Sequence, residues 1–322
     1  MKASWRDILQ NNFRNWEKLA DFLELDSVQR NHLVPNPRFA LNVPMRLAKK
    51  MAKRSLDCPL FKQFLPTVQE LANSVNFIDD PVQDAQFRCT SKLLQKYEGR
   101  VLLVCTSACA MHCRYCFRQN YDYEVERKGF EPEIAMIKAD ATLHEVILSG
   151  GDPLSLSNRA LKELIDQLDA IPHIKRIRFH TRFPIGIPER IDQEFVDILD
   201  QCRAQVWFVV HSNHPDELDE DVLGHLDILR KKGIVILNQA VLLQGVNDDS
   251  ETLYQLCRKL SDHGILPYYL HQLDRVNGAG HFEVGESQGK QLIEQLNERL
   301  PGYAIPKYVR EIAGKKNKTG IS

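Results

Sequence analysis

From residue 101 onward the chain alternates short apolar runs with stretches of helical periodicity. The runs are Val101–Cys105, Glu145–Leu148, Arg176–His180, Val206–His211, Ile234–Leu243 and Pro267–Leu273. Between them lie the amphipathic stretches Asn158–Ala170, Glu189–Gln201, Glu217–Lys232 and Ser250–His263. Short, nearly continuous apolar runs suit strands buried on both faces, and the segments between them are long enough to cross back over a sheet. Repeated βα units imply a parallel sheet with right-handed crossovers. A closed eight-stranded barrel usually takes ~250 residues, and only about 185 are available here. The expected fold class is therefore α/β, a partial, six-stranded parallel β/α barrel whose open side admits a large ligand. A flat doubly wound sheet is the alternative.

Residues 1–95 read as a charged helical region broken by Pro35, Pro37, Pro44, Pro59 and Pro66. Trp5, Ile8, Leu9, Phe13 and Trp16 recur at helical spacing, as residues packing on a core do. The barrel is expected over 96–284, followed by a C-terminal helix and tail over 285–322. Formal net charge is −1, so bulk charge gives no reason to expect nucleic acid or membrane as a partner. No apolar stretch approaches the ~18 residues of a membrane span. The N-terminus mixes charges early and shows no signal peptide, so the cytoplasm is the expected compartment. On composition alone, Gly314-Lys-Lys-Asn-Lys-Thr-Gly320 is an exposed basic tail.

Just past the first apolar run stands Cys109-Ala-Met-His-Cys113-Arg-Tyr-Cys116. Three thiolates on one tight loop can hold three irons of a 4Fe–4S cluster, and a structural cluster would want a fourth Cys. An open metal position implies chemistry, by the logic that separates catalytic from structural zinc. A zinc site completed by His112 or Cys105 is the competing reading. Cys105 lies in the apolar run and reads as a small core residue. Cys58, Cys89, Cys202 and Cys257 are scattered without metal-ligand spacing, and a disulfide framework is not expected. With Tyr115 before the last Cys, the loop resembles that of the radical S-adenosylmethionine (SAM) enzymes. In those enzymes the open iron binds the amino and carboxylate groups of SAM, which is cleaved to a 5′-deoxyadenosyl radical.

In a parallel barrel the active site gathers at the C-terminal ends of the strands. Ser149-Gly150-Gly151-Asp152-Pro153 follows the second run, and its two glycines would let backbone approach a ligand closely. Thr181 and Arg182 follow the third run, and His211-Ser-Asn-His214-Pro follows the fourth. A strand-terminal His is as readily a satisfied core residue as a ligand. Asn238 and Gln239 lie inside the fifth run, where buried amides need partners.

Together these segments resemble the lysine 2,3-aminomutases, radical-SAM enzymes that also use pyridoxal 5′-phosphate (PLP). The likeness runs from Asp79 to Thr319, about three quarters of the chain. It includes Arg100-Val-Leu-Leu-Val, the cysteine loop with Arg118, Leu148-Ser-Gly-Gly-Asp-Pro-Leu, His180-Thr-Arg-Phe-Pro, His211-Ser-Asn-His-Pro, Asn238-Gln-Ala-Val-Leu-Leu-Gln-Gly-Val-Asn-Asp and Pro267-Tyr-Tyr-Leu-His-Gln-Leu-Asp. It implies a barrel of the radical-SAM type and an isomerase converting (S)-α-lysine to (R)-β-lysine. It also implies a 4Fe–4S cluster on Cys109, Cys113 and Cys116, and SAM contacts from Ser149, Gly150, Gly151, Asp152, Arg182, His211 and Gln239. Lys318 matches the lysine that joins PLP, and Lys96 and Arg100, just before the first strand, match its phosphate ligands. Lys96 stands where better-known members have arginine. Arg118 matches the partner of the substrate carboxylate. Asp274 and Glu311 match the pair that binds the ε-ammonium, with Glu311 one methylene longer than the Asp of many relatives.

The short chain looks most like the subgroup that supplies β-lysine for modifying elongation factor P (EF-P). That implies a functional link to EF-P and its lysyl-transferring ligase, and a flavodoxin-type single-electron donor. No zinc is expected, because the cysteine-bearing C-terminal extension of longer members is not seen. Two alternatives remain at this point: an aminomutase for another cationic amino acid or a catabolic lysine route, and a non-catalytic scaffold in EF-P modification.

Overall fold

In the computed structural model, which describes residues 3–124, 127 and 129–322, strands adjacent in sequence are adjacent in space. One nine-stranded sheet runs in the order β1 to β9. Its strands are β1 Leu93–Tyr97, β2 Arg100–Val104, β3 Glu145–Ser149, β4 Arg176–Thr181, β5 Gln205–His211, β6 Val235–Val241, β7 Leu266–His271, β8 Lys307–Arg310 and β9 Thr319–Gly320. Pairing is parallel from β2 through β8 and antiparallel at both edges. A doubly wound sheet would reverse its strand order at a switch point. This order never reverses and the ends do not pair, so the sheet is a partial barrel.

All six expected strands are present, as β2 to β7. The sheet is wider than that count, because β8 adds a further parallel strand and β1 and β9 add antiparallel edges. The additions are short: β8 is Lys-Tyr-Val-Arg and β9 is Thr-Gly, too brief for a period-2 signal. Lys96 consequently lies within β1 instead of ahead of the first strand, and Arg100 opens β2. Lys315 and Lys316 are exposed, but Thr319–Gly320 pairs with Val309 and Arg310. The terminal segment is thus partly sheet, not a free tail.

The helices are α1 Trp5–Gln10, α2 Trp16–Phe22, α3 Ser27–Arg30, α4 Met45–Lys50, α5 Pro59–Phe64, α6 Glu131–Ala139, α7 Asn158–Asp169, α8 Phe183–Gly186, α9 Gln193–Asp200, α10 Glu220–Lys231, α11 Ser250–Asp262 and α12 Glu286–Asn297. Four crossover helices start in the same way. Ser157, Asp192, Asp219 and Asp249 each accept a bond from a first-turn amide, at 3.2, 2.8, 2.9 and 2.8 Å. Such caps each contribute about 1 kcal/mol. In α7 the residues Leu161, Leu164, Ile165 and Leu168 form the buried stripe. Trp5 is buried, and Ile8, Leu9, Phe13 and Trp16 pack partly buried against the same core. Among the described residues no helix is long and apolar enough to cross a membrane.

The glycine pair after β3 has a steric purpose. Gly150 has φ +119°, and a Cβ there would lie 2.7 Å from the Thr106 carbonyl oxygen. A Cβ on Gly151 would lie 2.4 Å from the Ala108 carbonyl oxygen. The Gly151 and Asp152 amides donate to those same two carbonyls, at 2.7 and 2.8 Å. The close approach is therefore between this turn and the backbone leading into the cysteine loop. Gly151→Ala is expected to lower stability by about 1–3 kcal/mol, as overpacking against immovable backbone does. Urea denaturation compared with wild type checks this.

Candidate active site

The C-terminal edge of the parallel strands opens into a cavity of about 310 Å³. Every site residue anticipated from the sequence lines it, from the three loop cysteines to Lys318. The bulge between β6 and β7 lets consecutive Tyr268 and Tyr269 both face the cavity, their ring centroids 3.8 Å apart.

The N-terminal region holds the cysteine loop from outside. Asn12 Nδ2 donates to the Ala110 carbonyl at 2.7 Å, and Asn42 Nδ2 donates to the Cys109 carbonyl at 3.0 Å. Arg114, between Cys113 and Tyr115, is buried. It donates from Nε and Nη2 to the two Glu70 oxygens at 2.7 and 2.5 Å, and from Nη1 to the Phe39 carbonyl at 2.7 Å. His112 stacks on Phe39 and places Nδ1 2.7 Å from the Ala40 carbonyl. Its ring is thus engaged with the N-terminal region. The Cys105 side chain is buried at the end of β2. Cys58, Cys89, Cys202 and Cys257 carry free thiols.

Burial pushes the Cys116 thiol up to about 11 and the Cys109 thiol well above its ordinary value. A metal binding here would have to displace those protons. Among the described residues no three His, Cys, Asp or Glu side chains converge on one ion. A cubane makes no such demand, because each thiolate binds a different iron. A soft, three-thiolate set fits that group.

The strand ends supply a polar layer. Asp152 accepts from Thr181 Oγ1 at 2.7 and 2.9 Å and from the Leu154, Arg182 and Phe183 amides at 3.0, 2.8 and 2.9 Å. Burial pushes its carboxyl up to about 6 against those bonds. The carboxylate ties the ends of β3 and β4 together. Gln239 Nε2 contacts His211 Nε2 and lies 3.5 Å from His180 Nδ1. Burial lowers His211 to about 3 and His180 and His271 well below the ordinary range, with nearby cations adding to it. These imidazoles are neutral at physiological pH. The buried amide of Asn238 is satisfied by both backbone groups of Ser212.

The charged groups pair in a specific order. Asp84, only 2% exposed, accepts from Lys96 Nζ and Arg118 Nε, both at 2.8 Å. Burial opposes its charge, but the two cations prevail and hold its pKa below the usual carboxylate value. Lys318 Nζ donates to Glu311 Oε2 at 2.9 Å, and the Tyr97 hydroxyl lies 2.7 Å from both Glu311 oxygens. Lys318 and these bonds outweigh burial and lower the Glu311 pKa. Arg100 stacks over Tyr97 at 4.7 Å and has no ion pair among the described residues, and its Nε is buried without a partner. Asp274 likewise has no ion pair among the described residues. Burial raises it to about 6, Glu311 adds to that, and Lys318 opposes it. Among the described residues, Arg100 and Asp274 thus line the cavity with no ion pair, while Lys96 and Arg118 share one carboxylate between them. His180 Nε2 is also buried without a partner among the described residues. An anionic cofactor phosphate suits Arg100, with Lys96 close by in sequence.

Sequence reasoning missed Asp84, Tyr97, His180, His271, Tyr268 and Tyr269 as cavity residues. Strand-end position was a usable signal for His180 and His271. None existed for Asp84, which sits in a short 3₁₀ turn, Asp84–Phe87, of the N-terminal region.

The chain matches a family described as a 4Fe-4S single cluster domain over residues 97–213. It is 38% identical over 323 residues to the L-lysine 2,3-aminomutase of Haemophilus influenzae, covering 99% of this chain and 95% of that one. It is 40% identical over 286 residues to the L-lysine 2,3-aminomutase of Escherichia coli (strain K12), covering 88% and 83%. Among solved structures it is similar to Streptococcus suis SuiB, with TM-score 0.51 and 15% identity over 67% of this chain and 50% of that one. It is also similar to a radical SAM methyltransferase from Sphaerobacter thermophilus, with TM-score 0.51 and 18% identity over 68% of each chain. These structural likenesses are of fold.

Removing the shared carboxylate would strand the buried Arg118 and the half-buried Lys96. Asp84→Asn is expected to destabilise the protein by about 3–5 kcal/mol, the usual cost of breaking a buried pair from one side. The midpoint shift in urea unfolding checks this.

Proposed function

The chain belongs to the lysine 2,3-aminomutase family, and we propose that it moves the α-amino group of L-lysine to C3, converting (S)-α-lysine to (R)-β-lysine. The observation that carries this reading is the meeting, in one cavity, of a three-thiol loop, a lysine held by a carboxylate, and charges of both signs with no ion pair among the described residues. When bound, the cluster and SAM supply a hydrogen-abstracting radical, and PLP supplies a π system that carries the nitrogen and spreads the unpaired electron.

In this reading Cys109, Cys113 and Cys116 hold the cluster. The backbone of Ser149, Gly150 and Gly151, with the neutral His211 and Gln239, faces SAM. Asp152 and Arg182 act by positioning these loops. Lys318 joins PLP, and Arg100 and Lys96 take its phosphate. Arg118 is held through Nε by Asp84, and among the described residues its Nη2 has no acceptor, so it can orient the substrate carboxylate. Asp274 receives the ε-ammonium. Once Lys318 is uncharged, Glu311 loses its cation and becomes the second acceptor. A cationic side chain therefore suits the site, and a negatively charged one would meet two carboxylates.

The proposal extends to supplying β-lysine for EF-P through a lysyl-transferring ligase, with a flavodoxin-type electron donor, in the reducing cytoplasm that a thiolate-ligated cluster needs. One observation favours a second substrate. Glu311 reaches one methylene further than an aspartate, which suits a shorter diamino acid such as ornithine. Competition of ornithine against lysine separates the two.

Anaerobic incubation of reconstituted protein with lysine, SAM, PLP and dithionite, followed by chiral chromatography, is expected to give (R)-β-lysine. No product from protein carrying its cluster contradicts the proposal. Lys318→Ala is expected to abolish turnover and to leave no borohydride-fixed pyridoxyl label. A scaffold would leave cellular β-lysine unchanged by the same substitution.

The pH dependence has a definite sign. Asp274 is ionised above about 6 and takes a proton below it. Binding of the ε-ammonium should weaken as pH falls through that value, with KM rising toward roughly tenfold per pH unit, as one titrating group dictates. Asp274→Asn should raise KM and flatten this limb of the profile.

A further inference from the structure

Arg182 follows β4, beside the cysteine loop. Its guanidinium is committed on several sides. Nη1 donates to Cys113 Sγ at 2.9 Å and also meets the Tyr115 hydroxyl. Nη2 donates to Gln63 Oε1 at 2.7 Å and to Glu217 Oε2 at 2.9 Å. The group lies 4.8 Å from the Phe64 ring centroid. The Glu217 side chain is 0% exposed and that of Arg182 is 8% exposed. Glu217 is itself fixed by Gln63 Nε2 at 3.0 Å and the Asn213 amide at 3.1 Å. A packed ionic network therefore delivers one N–H, on a permanent cation, to one of the three loop sulfurs.

For stability alone this is an expensive arrangement. Apolar residues of similar volume often serve as well or better than a buried ion pair. The geometry also differs among the three thiols. Cys113 alone receives a side-chain N–H bond among the described residues.

We propose that Arg182 eases one-electron reduction of the cluster through the Cys113 corner, with Glu217 moderating the effect. The inference rests on the cysteine loop being the cluster site. Reduction adds one electron from an external one-electron donor, and no bond forms or breaks in that step. The cluster and its thiolates become more negative by one charge. A fixed cation with an N–H on a thiolate sulfur stabilises the reduced state more than the oxidised one, and low local dielectric enlarges the difference. Arg182 acts here through Cys113 as a positioning residue, separately from any contact with SAM.

The test is spectroelectrochemical titration of reconstituted protein, after iron content and visible absorbance have confirmed a loaded cluster. Arg182→Gln is expected to shift the midpoint potential lower, and Arg182→Lys to shift it less. Glu217→Gln removes the opposing charge and is expected to shift it higher. A fully loaded Arg182→Gln protein with an unchanged potential overturns the proposal. Should that variant fail to retain iron, unchanged potentials in loaded Arg182→Lys and Glu217→Gln overturn it equally. A wild-type protein that takes up no cluster would defeat the cluster reading itself, a result distinguishable from the others.

Discussion

The cysteine loop lies where it does because two carbonyls leave no room for a side chain opposite them. Thr106 and Ala108 accept the Gly151 and Asp152 amides, and only glycine at 150 and 151 lets the two backbones approach that closely. Once this contact forms, the exit of β3 and the entry to the cysteine loop move as one body. Asp152 then extends the connection to β4 through Thr181 and the amides of Arg182 and Phe183. The direction of the Arg182 side chain follows from that. Three successive strand ends are thereby locked to one another before any cofactor is considered.

Charge decides the remainder of the cavity. An isolated buried ion is prohibitively costly, so most of these groups are paired. Lys96 and Arg118 share Asp84, Arg182 meets Glu217, and Lys318 meets Glu311. Those contacts set four cations against three carboxylates and hold each cation in one place. A ligand also meets Arg100 and Asp274, which have no ion pair among the described residues. A zwitterionic or doubly charged ligand system completes this arrangement better than a neutral one, because it satisfies both ends without leaving a new buried charge.

The strands that carry the barrel were legible because each is a short apolar run long enough to register against its neighbours. The edges were not. β1 contains Gln95 and Lys96, β8 spans Lys307–Arg310, and β9 is two residues. Their pairing is decided by contacts distant in sequence, such as the Tyr308 hydroxyl meeting Gln272. That the site residues would line one cavity was legible through resemblance more than through pattern. A lysine in a stretch reading Gly-Lys-Lys-Asn-Lys-Thr looks solvated, and only its position next to Glu311 distinguishes Lys318 from Lys315 and Lys316. Asp84 gave no pattern at all, since a single carboxylate in a loop becomes meaningful only when two cations meet it.

These illegible edges carry the groups that distinguish this cavity from a generic barrel mouth. Tyr97 and Lys96 come from β1, Glu311 follows β8, and Lys318 precedes β9. In parallel β/α barrels the site gathers at the C-terminal ends of the strands. The antiparallel edge β1 and the segment between β8 and β9 add polar side chains to the cavity lining. The N-terminal region braces the thiol side, through Asn12, Asn42, Gln63, Glu70 and Asp84. The parallel sheet thus supplies the floor, and the two ends of the chain supply the walls that fix thiols at one side and the Lys318–Glu311 pair at the other.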